Sequence, residues 1–455
     1  MKLIYFALCL LVPLGSSCKN KNPNLSKDEL FSEMEQVSEV EVAETSSVMT
    51  EGHVPPAGIR YAAKLDRSEP LIHLDIEAAL RNVRPVKLSD FGKEIVYHRI
   101  GVFEHGIDAS FTPVEDGYLV ICAEGLWWLD KNLKKDKLLI KNDVEFMSSG
   151  DFEGYSPHSM LKSYDYDPSS RSVYCQLFLE DKKNKSFVMY TSRIPLAELR
   201  QRSSPMDLND LPKWLKTKDE PNVFARIARV FTVKNGFALY RESLNALYTF
   251  AANGDTLCYF APGSGEFKAM KGTIRNAESS DLYKYKGQEC FRLAYTDTLF
   301  RTLDASTFRP AYKIDFGTHQ ATRAEGLNPA VDLSDKYLVH NLTETDDYLF
   351  ISLTQNHDCP NTRNAGTVKF FQVIYNKKNG ELYSFVDKTK KTVPGLIPND
   401  LDGGIGYWPK IQMNGQPYML LIGRALKRAV PADRLSKIPA LQGLEDKEMV
   451  LITVR

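Results

Sequence analysis

The 455-residue sequence is poor in the features that usually betray chemistry. It holds only seven cysteines: Cys9 and Cys18 near the start, then Cys122, Cys175, Cys258, Cys290 and Cys359. The last five are an odd number at spacings that match no zinc pattern, which excludes a fully paired disulfide framework. Four of them sit inside apolar runs such as Leu119-Val120-Ile121-Cys122, so they read as buried free thiols. Charge of one sign is lacking too: 58 Lys and Arg balance 58 Asp and Glu, which removes the electrostatic reason to expect nucleic acid. Beyond the N-terminus no apolar run approaches the roughly twenty residues that a spanning helix needs. Helix-favouring runs are few, whereas 22 Tyr and 23 Phe point to strands. No stretch spells a specific catalytic or cofactor motif.

What is present begins at the N-terminus. Met1 and Lys2 precede an apolar run from Leu3 to Leu14, followed by Gly15, Ser16, Ser17 and Cys18. The run is too short for a transmembrane helix but suits the core of a secretory signal. Leu14-Gly15-Ser16-Ser17-Cys18 resembles a bacterial lipobox, with Gly15 where Leu is usual. That resemblance implies cleavage before Cys18 and a diacylglyceryl group plus an N-acyl chain on it; at about 0.8 kcal/mol per buried CH₂, such chains anchor permanently. Lys19 in place of Asp implies sorting to the outer membrane, and the lack of an acidic run directly after Cys18 favours the periplasmic face, with surface exposure left open. Asp28 to Glu51 holds eight acids and no Lys or Arg, and reads as a solvated spacer. The expected organisation is therefore a signal at 1–17, a lipidated N-terminus with spacer and lead-in at 18–90, and a folded domain at 91–455.

From about Phe91 onward, short runs alternate with the turn dipeptides Asp116-Gly117, Asn235-Gly236, Asn253-Gly254, Asn379-Gly380 and Asn414-Gly415, which mark antiparallel hairpins. Aligning Trp128, Tyr190, Tyr248, Phe300, Tyr375 and Ile452 as third strands gives a long, roughly regular repeat, and Ser149-Gly150-Asp151-Phe152 recurs as Ser264-Gly265-Glu266-Phe267. Units of this length with four strands each predict an all-β fold, a six-bladed β-propeller of four-stranded antiparallel blades. The last unit offers only three strands, and an orphan strand at Glu94–Ile100 is placed to complete it, closing the ring with the two ends of the domain. A pair of β-sandwiches is the competing fold. The insertion at Pro195–Pro221 is expected to carry a short helix or turn, and that at Pro431–Leu444 another helix.

These features, with Gly263-Ser264-Gly265-Glu266-Phe267, Thr296-Asp297-Thr298-Leu299-Phe300, Asn399-Asp400-Leu401-Asp402-Gly403-Gly404 with Trp408-Pro409, and Glu445-Asp446 before the closing strand, resemble the six-bladed β-propeller lipoproteins of Bacteroides-type bacteria. The resemblance implies a lipid-anchored, non-enzymatic propeller of unknown function and supplies no catalytic residues.

In a propeller, the connections from the fourth strand of one blade to the first strand of the next converge on one mouth of the channel. The register places Glu153, His158, Glu266, His319, Arg323, Glu325, Asp400, Asp402 and Trp408 on those connections. Asp400 and Asp402 beside glycines are weak candidates for Ca²⁺, though EF-hand spacing is missing and the same pattern builds a self-bonded turn. His319, Arg323 and Glu325 could form an anion or sugar site, though a solvated polar loop accounts for them more simply. His357-Asp358-Cys359 suggests a Cys/His nucleophile, but sequence neighbours rarely point together and a surface turn accounts for them. The expected function is a binding or scaffolding module for a glycan, peptide or protein; the alternative is an envelope polysaccharide-processing enzyme using carboxylates at the mouth.

Overall fold

The computed structural model describes residues 63–103, 107–149, 152–181, 186–220, 228–241, 246–260, 278, 280–328, 331–357, 367–385, 395–413 and 415–455; the signal segment, Cys18 and the acidic spacer lie outside them. The described chain enters with β1 (Lys64–Leu65), β2 (Ile72–Asp75) and a helix at Ile76–Arg81, N-capped by Asp75, followed by β3 (Ile95–Val102). Blade 1 is β4 (Ile107–Val114), β5 (Gly117–Cys122), β6 (Gly125–Asp130) and β7 (Lys135–Lys141). Blade 2 draws on β8 (Asp143–Ser149), β9 (Phe152–Asp167), β10 (Ser172–Asp181) and β11 (Ser186–Pro195); then come β12 (Met206–Asp207) and, after it, β13 (Leu215–Glu220), which pairs with β11. Blade 3 is β14 (Ala228–Val233), β15 (Gly236–Arg241), β16 (Ala246–Ala251) and β17 (Thr256–Phe260). Blade 4 is β18 (Asp281–Tyr285), β19 (Gln288–Arg292), β20 (Thr298–Thr302) and β21 (Thr307–Asp315). Blade 5 is β22 (Leu338–Glu344), β23 (Tyr348–Gln355), β24 (Lys369–Asn376) and β25 (Glu381–Phe385). Blade 6 is β26 (Ile411–Met413), β27 (Gln416–Ile422) and β28 (Glu448–Val454), completed by β3.

The protein is thus a six-bladed β-propeller closed by its own N-terminal strand. β3 runs antiparallel to β28 from Ile95↔Val454 to Val102↔Glu448, and Arg99 grips Glu448 through Nε at 2.8 Å and Nη2 at 2.6 Å. Blade faces bury against both neighbours, so successive side chains of one strand enter different interfaces. Leu119 and Ile121 pack toward blade 2, whereas Val120 and Cys122 pack toward blade 6. Likewise Val450 and Ile452 join blade 5, and Met449 and Leu451 join blade 1. Separate clusters fill the interfaces between blades 2 and 3, 3 and 4, and 4 and 5, so the apolar packing runs round the whole ring.

Turn glycines act in two ways. Gly380 adopts φ +74°, the positive value that a tight hairpin requires. Gly236 instead opens β15, where a Cβ would meet the carbonyl oxygen of Phe250 at 1.9 Å; there the missing side chain matters, and the turn's positive φ falls on Asn235. Cys122, Cys175, Cys258 and Cys290 are buried free thiols, while Cys359 lies outside the described residues. Burial pushes the thiols of Cys122 and Cys258 up to about 11.

Outer edges are covered by added chain. β1 and β2 extend blade 4 in parallel with β21, Val83 bridges to Ser384 of blade 5, and β12 pairs in parallel with β7 of blade 1. Inner edges are satisfied by side chains from the preceding blade: Asp165 Oδ2 accepts from Thr232 N at 2.6 Å, Ser163 Oγ from Val230 N at 2.9 Å, and Asp281 Oδ1 from Leu342 N at 3.1 Å. At these blades both devices occupy strand edges that would otherwise be open to pairing between molecules.

Candidate functional site

The fourth-to-first-strand connections comprise residues 103–106, 142–158, 221–227, 261–280, 316–337 and 386–410. Glu266 lies outside the described residues, as do most of the 221–227 and 261–280 connections. Glu153 and His158 occupy the first half of β9. That half pairs only with β8, Glu153 opposite Ser148, while Ser159–Asp167 pairs with β10. The connection from blade 1 to blade 2 is therefore a two-stranded ribbon that prolongs the inner strand of blade 2 past its sheet.

His319 ends a 3₁₀ turn at Gly317–His319. Its Nδ1 lies 2.9 Å from the Asp335 carbonyl oxygen, and its ring meets Tyr337 edge-on at 5.2 Å. Arg323 opens the helix Arg323–Leu327, whose N-terminus is a capping box. In it, Glu325 Oε2 accepts from Thr322 N at 2.8 Å and Thr322 Oγ1 accepts from Glu325 N at 3.2 Å. The Thr322 backbone donor pulls the Glu325 carboxyl below its ordinary range. His319 and Glu325 are thus engaged within their own loop.

Asp400 and Asp402 face different partners. Asp400 accepts from Ser89 N at 3.0 Å and Ser89 Oγ at 2.7 Å, with Lys87 Nζ at 3.5 Å, so it fastens the lead-in to the blade 5–6 connection. The Ser89 donors lower its pKa to about 2. Asp402 Oδ1 accepts from Asn399 Nδ2 at 2.6 Å and Gly404 N at 2.8 Å, and Asn399 Oδ1 accepts from Leu401 N and Asp402 N. This is the self-bonded Asx turn weighed against Ca²⁺, with both N–H donors directed at Asp402 Oδ1. Among the described residues no group of three or more His, Cys, Asp or Glu converges as a metal site. Trp408 is core: only 1% exposed, it donates from Nε1 to Ser352 Oγ at 2.7 Å and packs edge-on against Phe350.

Two features carry no local sequence signal. At the axis, Lys284 Nζ reaches Asp165 Oδ1 at 2.6 Å, Thr232 Oγ1 at 3.2 Å and the Tyr166 carbonyl at 3.3 Å, so one ammonium joins blades 2, 3 and 4. Opposite it in the β18–β19 pair stands Glu289, whose Oε2 is buried with no hydrogen-bond partner. Burial, with Asp165 adding and Lys284 opposing, lifts the Glu289 carboxyl to about 8. The second feature is a cleft of about 380 Å³ at the base of the ribbon, between the face of blade 2 and the Pro195–Pro221 insertion. Leu179 and Val188 form its floor, Tyr190 one wall, and Asn209 and Lys213 reach it from the insertion.

A family described as a domain of unknown function, DUF4933, matches residues 56–432. No curated protein matches the sequence. Among solved structures, the chain is similar to a Bacteroides fragilis protein to which export is ascribed (12% identity, TM-score 0.49, 85% of this chain and 100% of that one). It is similar to a DUF4221 member from Bacteroides vulgatus (10%, 0.38, 80% and 96%) and to a Bacteroides caccae protein of unknown function (13%, 0.34, 63% and 85%).

Proposed function

This chain belongs to the DUF4933 family, and we propose that it is an exported, lipid-anchored binding module, tethered through Cys18 and meeting its ligand on the face of the fourth-to-first-strand connections. The observation that carries this reading is the state of the acids on that face. Asp400 is held ionised by Ser89, and Asp402 accepts two N–H donors within its own turn. A general acid must carry a proton near working pH, and a carboxyl with a pKa of about 2 does not. Held in these internal bonds, the two acids fix the shape of the face around them, and a face of fixed shape suits recognition. The signal-like N-terminus and the small residues before Cys18 support export and lipidation, with the outer membrane, periplasmic face, as the proposed destination.

The test uses the full chain in a diderm bacterial host. Alkyne fatty-acid labelling is expected for the native chain and absent for Cys18→Ala. The membrane-held protein is expected to retain ligand without altering it. Release of shortened polysaccharide by the native chain, abolished in Asp400→Asn or Asp402→Asn, would establish the enzyme reading instead.

A further inference from the structure

We infer that the cleft on blade 2 is a saccharide subsite, an assignment that rests on the binding reading above and names its ligand class. The cleft lies where the β8–β9 ribbon leaves the sheet: Asp143 begins β8 and pairs with Ser159, Ser159 pairs with Leu179, and Leu179 pairs with Val188. Leu179 and Val188 are buried and give an apolar floor, and the Tyr190 ring stands beside it, with Lys213 Nζ 5.8 Å from the ring centroid. Around this floor the lining mixes hydrogen-bonding types. Asp143 brings an acceptor, Asn209 an acceptor and a donor, and Lys213 donors. Ser159 Oγ already accepts from Glu180 N at 3.1 Å, which leaves its own hydrogen to donate.

A pyranose ring is the complement of that surface. Its C–H face packs on aliphatic and aromatic carbon, and its neighbouring hydroxyls each donate and accept. The volume of 380 Å³ falls within the roughly 300–1,000 Å³ usual for small-ligand pockets. An extended peptide is disfavoured, because the strands that floor the cleft are already paired on both sides: β10 between β9 and β11, and β11 between β10 and β13. The floor strands themselves therefore have no free edge for strand addition. Two of the polar groups, Asn209 and Lys213, come from the insertion rather than from the blade, so the insertion sets which sugar is accepted.

The full chain would be screened on an array of plant, host and microbial oligosaccharides, and the best binder titrated calorimetrically. Asn209 and Lys213 are exposed, so Asn209→Ala and Lys213→Ala are expected to keep the native melting temperature and to weaken binding about tenfold each, the loss of one net hydrogen bond. Native-strength binding by both variants would overturn the subsite and leave the binding reading standing. A native chain that binds no arrayed sugar, yet is cross-linked in cells to one protein partner through the same face, would overturn the saccharide assignment alone. Absence of both sugar and partner would overturn both readings.

Discussion

Lys284 and Asp165 form an ion pair between blades that are not neighbours: the ammonium of blade 4 lies 2.6 and 2.7 Å from the two carboxylate oxygens of blade 2, passing the inner strand of blade 3. The same carboxylate accepts from Thr232 N and Thr232 Oγ1, so it caps the open edge of blade 3 while it holds blade 4. Asp165→Ala strands a buried N–H and leaves Lys284 without its counter-charge. We expect a loss of about 3 kcal/mol, read as a lower urea midpoint. Asp165→Asn, which keeps an acceptor for Thr232, is expected to lose distinctly less. Equal losses for the two variants would mean that the ion pair rather than the edge cap dominates.

Glu289 gives this region a pH dependence of defined sign. Its carboxyl is lifted from 4.5 to about 8 in the folded chain, chiefly by burial. Between those values the unfolded chain has released the proton that the folded chain retains, so stability falls as pH rises through the window. The contribution is complete below about 4.5 and exhausted above about 8. Glu289→Gln removes the titration while keeping the shape. Denaturation at pH 6 and pH 8.5 should show the native chain weakening more than the variant, and parallel behaviour would refute the assignment.

The ring was legible in the sequence because burial on both blade faces writes itself as apolar runs, and tight hairpins demand particular turn residues. Glu94–Ile100 stood out because a three-stranded last unit lacks an edge, and the strand forms there as Ile95–Val102. The third-strand alignment also held at Tyr190, because β11 is third once Ser159–Asp167 is taken as the inner strand and β13 as the outer. Other elements gave no such pattern. β13 is separated from β11 by the insertion, and the lead-in contributes strands of two and four residues that form only against β21. Lys284 and Asp165 are 119 residues apart, and their meeting is a property of the closed ring. At the mouth, Asp402 and Glu325 followed local hydrogen-bonding chemistry, which a sequence window contains; the partner of Asp400, Ser89, is 311 residues away.

Asp400 fastens the lead-in, and its removal should be visible there before anywhere else. Asp400→Asn weakens the grip on Ser89 and removes the charge that faces Lys87. We expect trypsin to cut after Lys87 several-fold faster in the variant, with the blades still protected. In the native chain the grip is full above the unfolded carboxyl value of 3.8 and fades as pH falls through about 2. Pepsin digestion of the lead-in, normalised at each pH to that of an unstructured peptide, should therefore accelerate between pH 4 and pH 2 in the native chain and change little in the variant.

The closing pair, β3 with β28, joins the N-terminal side of the ring to its C-terminal strand. Ile452 is fully buried, pairs with Tyr97 and packs into the interface with blade 5. Ile452→Ala should cost about 2–5 kcal/mol through lost burial and the cavity left behind, without altering the sheet hydrogen bonds. Breaking the pairing itself is a different perturbation. A chain begun after Val102 lacks the fourth strand of blade 6, exposing the edge of β28 and one side of the apolar cluster shared with blade 1. That chain, which also lacks the lead-in packed on blades 4 and 5, is expected to lose cooperative unfolding and to aggregate; a synthetic peptide spanning 63–103 supplied in trans should restore a single transition, and one spanning 63–92, without β3, should not. If the shortened chain unfolds cooperatively at the native midpoint, the latch contributes nothing and the ring is held by its blade interfaces alone.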